Sequence, residues 1–129
     1  MMNKRSLLLI GAALWVLGAV IMHFVGPLVF NGQLLHIIFW ISNFLAPVSV
    51  LPLIAKRLGR TKHQMFAPTA VMLLPVMMLD GLAITSDTFG WTQIYAGDPT
   101  LAGLTGGFLL FASGSFFFWA LLWHRDDRP

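Results

Sequence analysis

Four long apolar runs, at residues 7–30, 34–55, 65–84 and 101–123, occupy most of this chain and leave only short connections. A helix rises about 1.5 Å per residue, so roughly 20 apolar residues cross a hydrocarbon core about 30 Å thick. Each run meets that length. Only 10% of the 129 residues are charged, where a soluble domain carries about 25%. A globular surface so poor in charge would not stay in water. The expected fold is therefore all-α, a bundle of four transmembrane helices. Residues 1–129 form a single membrane domain, and its first partner is the lipid bilayer.

The chain carries a formal charge of +3 and a pI near 10.0. In a soluble protein such a balance would raise nucleic-acid binding; here topology explains it, and no nucleic-acid partner is expected. Every lysine and arginine lies in one of three places: Lys4 and Arg5 in the head, Lys56, Arg57, Arg60 and Lys62 between spans 2 and 3, Arg125 and Arg128 in the tail. Four spans bring those places to one side of the membrane. Short basic loops stay in the cytoplasm, so both termini are expected there, in a multi-pass protein of the cytoplasmic membrane. The first apolar run is too long for a signal-peptide h-region and has no convincing cleavage site, so an uncleaved first span is expected. The absence of cysteine removes disulfides, thiolate metal sites and thiol redox chemistry.

The connection Asn31-Gly32-Gln33 is short and turn-forming, which makes spans 1 and 2 antiparallel neighbours. Span 2 contains Pro47 and Pro52, which free the carbonyls of Asn43 and Val48 and favour kinks. The longest connection, residues 85–100, holds Asp87, Trp91, Tyr95 and Asp98. Trp91 and Tyr95 suit the headgroup region, where an amphipathic ring has a wet side and an apolar one. Spans associate in lipid through small residues. Ala12, Ala19, His23 and Gly26 share a stripe of span 1. Gly103, Gly107 and Gly114 share one of span 4, with Gly106 and Ser113 beside it. Packing inside one chain is the plain reading of these stripes, and a homo-oligomer interface the sharper one. Phe116, Phe117, Phe118, Trp119 and Trp123 read as lipid-facing or belt aromatics.

Asp80 is the only acidic side chain inside any of the four runs. It lies about 20 Å from the cytoplasmic boundary at about 1.5 Å per residue. A charged aspartate at mid-span costs about 2.5–3.5 kcal/mol on insertion scales, so such a residue faces the bundle interior or water. His23 reaches a similar depth in span 1. His36 enters span 2 from the outer side and shares a stripe with Trp40, Asn43 and Pro47. Asp80, His23, His36 and Asn43 are the candidate functional residues, and the three ionisable ones can converge in the outer half of the bundle. Each also has a structural role open to it: a backbone cap or interhelical bond for Asp80 and Asn43, packing for His23, an interfacial position for His36. No local ligand spacing supports a metal site, and no cofactor is expected. His63 and His124 belong to the cytoplasmic edge and read as solvated.

The sequence has no phosphate-binding glycine loop, no H-E-x-x-H, no nucleophile elbow and no lipidation motif. The segment Leu74-Pro75-Val76-Met77-Met78-Leu79-Asp80 resembles the L-P-G-M-x-L-D segment of a family of small four-span bacterial membrane proteins of unknown function, with Val76 in the place of glycine. Asn3-Lys4-Arg5, the region of Trp15, His23-Phe24-Val25-Gly26 and Gly106-Gly107-Phe108-Leu109-Leu110 fit the same family. The resemblance implies a bacterial cytoplasmic membrane and four helices, and no activity. The functional reading is a non-enzymatic binding or accessory subunit, alone, as a homo-oligomer or with a larger membrane partner. The alternatives are a proton-coupled transporter or channel-like unit using Asp80 with His23 or His36, and a membrane enzyme acting on lipid or quinone.

Overall fold

A computed structural model describes residues 3–95 and 99–125. The protein is an all-α four-helix bundle: α1 Lys4–Phe30, α2 Gln33–Arg57, α3 Phe66–Thr88 and α4 Pro99–Trp123, with a 3₁₀ turn at Lys62–Gln64 before α3. All four helices are long and apolar enough to span a membrane. Their outward faces carry large apolar side chains such as Leu9, Phe24, Leu34, Met78 and Leu110. A soluble bundle would place polar residues there, so this surface is one that lipid solvates.

The helix boundaries follow from local chemistry. Asn3 caps α1, its side-chain oxygen accepting from the Arg5 amide at 3.1 Å. Helix α3 runs four residues past the apolar run that ends at Ile84. Its added turn is polar, but the hydroxyls of Thr85 and Thr88 fold back on the carbonyls of Gly81 and Ile84, both at 2.7 Å. It ends in a Schellman closure. Gly90, at φ +73°, turns the chain, and the amides of Gly90 and Trp91 bond the carbonyls of Asp87 and Ser86.

Around the bundle the order is α1, α3, α4, α2. The most extensive contacts are α1 on α3 and α3 on α4, while α1 and α2 meet over a smaller seam despite the tight turn between them. Two apolar clusters form the core. One gathers Leu7, Leu51, Ala55, Met65, Met72 and Ala120 at the end where the basic residues lie. The other gathers Ala19, Met22, Ala83, Tyr95 and Phe108 towards the opposite end.

Several expectations need correction. Among the described residues Gly103, Gly107 and Gly114 do not line a contact; all three are exposed, and a Cβ at each would meet nothing within 4 Å. Helix α4 instead buries Ala102, Thr105, Phe108, Ser113, Ser115 and Ala120, so its contact face is built mainly from small residues other than these glycines. The close approach is at Gly11, which the α1 stripe omitted; Ala19 and Gly26 of that stripe are buried. Trp119 is no belt residue. Its indole donates to the Phe44 carbonyl at 2.7 Å, in the stretch of α2 that Pro47 loosens. Phe116, Trp119 and Trp123 pack against the first cluster, whereas Phe118 is exposed. His63 is half-buried and donates through Nδ1 to the Trp123 carbonyl at 2.7 Å, closing the end of α4. His124 is exposed and rests its ring against Phe66. Asp98 and residues 126–129, Arg128 among them, lie outside the described residues.

Candidate functional site

Proline has no amide hydrogen to give, so Pro75 leaves the Val71 carbonyl of α3 without its helical partner. Helix α1 crosses α3 at this point. A Cβ on Gly11 would overlap the Met72 carbonyl oxygen and stand 2.8 Å from the Pro75 ring, so only glycine allows the approach. The two helices run in the same direction. From Gly11 to Trp15 the rise is about 6 Å, and from Pro75 to Asp80 about 7.5 Å. The crossing therefore sets Trp15 and Asp80 side by side. The Trp15 indole donates to Asp80 Oδ1 at 2.6 Å.

A second donor reaches the same oxygen from the chain that follows α3. The Tyr95 hydroxyl donates to Asp80 Oδ1 at 2.7 Å. Tyr95 is 1% exposed, which corrects its placement in the headgroup region; Trp91, 73% exposed, stays outside. Asp87 causes the difference. It lies two turns beyond Asp80 on the same face of α3 and is itself buried. Its carboxyl accepts from the Thr92 hydroxyl at 2.6 Å, the Ile94 amide at 2.9 Å and the Tyr95 amide. These bonds fold residues 91–95 back over the bundle and carry the phenol inward. His23 pins the same segment from α1: its ring Nδ1 lies 2.8 Å from the Ile94 carbonyl, which can only accept, so Nδ1 carries the proton. Burial, and then the Asp80 carboxyl, hold the Tyr95 phenol above its ordinary range, so it remains a donor.

The four candidate residues thus have separate places. Asp80 is 6% exposed and joins α1, α3 and the following loop. His23 secures that loop without bonding Asp80. His36 packs its ring on Phe30 and Trp40, at centroid distances of 5.2 and 6.0 Å. Asn43 donates to the Phe39 carbonyl one turn back at 3.0 Å. Among the described residues no three of His, Cys, Asp and Glu gather where a metal ion could be held. Trp15, Tyr95 and Asp87 are the residues that sequence reasoning passed over. The one signal for Asp87 was its spacing from Asp80.

Two cavities flank this arrangement. The larger, of about 250 Å³, lies between the two core clusters. Its wall is apolar apart from Asn43, Thr69 and Ser113. Leu17 and Ile21 of α1 line it and are also exposed, so it opens along the thin seam between α1 and α2. The smaller, of about 210 Å³, lies between α3 and α4 and contains Asp80 in its wall. Leu109 and Ser113 line both. Thr69 is fully buried, and its Oγ1 has no hydrogen-bond partner among the described residues.

Comparison with protein-family models, with curated proteins and with solved structures finds no match to this chain.

Proposed function

We propose that the protein is a non-enzymatic binding or accessory subunit of a bacterial cytoplasmic membrane, holding a small apolar guest between its helices. The cavity of about 250 Å³ between the two core clusters carries this reading. An engineered apolar cavity of about 150 Å³ in a soluble protein already takes up benzene or xenon. Here the space is larger, and its mouth faces the region where lipid would stand, so a guest enters from the bilayer. The bonds that hold Asp80 give it a structural part in shaping the bundle. The likeness of residues 74–80 to small four-span bacterial proteins supports the membrane assigned, and the placement of lysine and arginine supports cytoplasmic termini.

The test uses the ε-methyl groups of Met22 and Met72, which line the cavity. With ¹³C-methyl methionine in nanodiscs, toluene should shift both signals saturably. Gly18 also lines the cavity, and a Cβ there meets nothing within 4 Å. Gly18→Leu should fill the space and weaken the toluene response at least tenfold. Unmoved Met22 and Met72 signals in the wild type would end the reading. For orientation, reporter fusions at Arg60 and Arg125 should read cytoplasmic and one at Gly90 external; a cytoplasmic reading at Gly90 would reverse it.

Self-association belongs to the same proposal. Gly103, Gly107 and Gly114 leave a strip of α4 open to close helix approach, the form that association in lipid uses. Cross-linking in vesicles should trap a dimer that Gly107→Leu abolishes; a dimer untouched by that change would place the contact elsewhere.

A further inference from the structure

Asp80 has two carboxyl oxygens, and the fold uses one. Oδ1 accepts from both Trp15 and Tyr95. Oδ2 accepts no hydrogen bond from the described residues, and it is not among the polar atoms sealed away without a partner. Asp80 lines the smaller cavity, the space nearest its carboxyl that a further partner could enter. Both donors on Oδ1 are neutral, and no basic side chain of the described residues stands with them. A buried charge is ordinarily paired. Among the described residues this carboxyl has no such partner, so a cation from outside them is what would favour its ionised form.

The rest of the wall narrows the chemistry. Apart from Asp80, Ser113 is its one polar side chain; Ile84, Leu109 and Leu110 supply apolar surface. Met77, Gly81 and Leu110 are exposed at the mouth between α3 and α4, so access is sideways, from lipid. An anionic head would be repelled by the carboxyl. An alcohol would donate a hydrogen bond and leave the charge. An ammonium donates and neutralises together.

We propose that the smaller cavity binds a lipophilic primary amine, with its ammonium on Asp80 Oδ2 and its chain along Leu109 and Leu110. The proposal rests on the reading of the bundle as a receptor for guests from the bilayer. Trp15 and Met77 are its built-in reporters, one sharing the carboxyl and the other lining the space.

The experiment places the whole chain, with ¹⁵N-tryptophan and ¹³C-methyl methionine, in phosphatidylcholine nanodiscs and titrates octylamine against octanol. Octylamine should move the Trp15 indole and Met77 methyl signals saturably, with octanol at least tenfold weaker. Asp80→Asn should bring octylamine down to the octanol level. A Cβ at Gly81 meets nothing within 4 Å, so Gly81→Leu should narrow the mouth, leave both bonds to Oδ1 in place and weaken octylamine at least tenfold. Should the Asn variant not fold, Gly81→Leu decides alone. Equal binding of amine and alcohol in the wild type, a preference that survives Asp80→Asn, or an indifferent Gly81→Leu would each overturn the proposal. Nanodiscs of phosphatidylethanolamine show whether a lipid headgroup supplies the amine: signals already displaced before octylamine is added mean that it does. Toluene binding without amine binding would refute the amine site and leave the larger cavity's role standing; failure of both removes the two together.

Discussion

The two ends of this bundle are closed by different means. At the basic end, apolar side chains meet around Leu7, Leu51 and Ala120, and a short turn brings His63 onto the last carbonyl of α4 and Lys62 over the Trp123 ring at 4.8 Å. Residues 58–65 join α2 to α3 there and lie against the end of α4. At the other end a longer connection is drawn inward and bonded side chain by side chain, through Asp87, Tyr95, His23 and Asp80. The first closure rests on burial, which is non-directional and tolerant of small shifts. The second rests on hydrogen bonds, which fail over fractions of an ångström. The polar end is therefore the one where geometry is held tightly enough to present a chosen atom to a cavity.

Substitution can separate the two closures. The largest effect is expected at Gly11, where any side chain drives α1 off α3. Gly11→Leu should cost about 3 kcal/mol or more, at the upper end for overpacking, and should displace the Trp15 indole signal while His63 keeps its bond. Unfolding in detergent, read beside the indole spectrum, checks both parts; loss of both ends together would show that one crossing governs the whole bundle. Asp87→Ala comes next, at about 2–3 kcal/mol, because three donors lose their acceptor. Hydrogen exchange should rise at Ile94 and Tyr95 and stay unchanged in α2 and around Met65. The smallest effect belongs to His63→Ala, about 1 kcal/mol for one bond near water. If it cost as much as Asp87→Ala, the contrast between the ends would collapse.

The four helices were legible because an apolar run of membrane length admits few structures, and Asp80 because a lone acid in such a run is conspicuous. Its setting was not. Trp15 and Tyr95 are aromatic residues with one polar edge, and in sequence such residues look the same whether the edge meets headgroups or a buried carboxyl. Deciding between these needed the fold of residues 91–95, and that depends on Asp87 catching amides seven and eight residues away. The glycines misled for a related reason. Small residues permit close approach without requiring it. At Gly11 the neighbouring backbone makes it necessary, and at Gly107 none of the described residues of the other helices stands within 4 Å of where a Cβ would be.

Leu109 and Ser113 form a partition with a cavity on each face. Were both proposed guests to bind, one that pressed on this partition would change the free energy of occupying the other face. By thermodynamic reciprocity the second guest must then act back on the first by the same factor. The seam between α1 and α2 and the seam between α3 and α4, on opposite flanks of the bundle, share two side chains, so Leu109 and Ser113 are where coupling between the proposed guests would be sought.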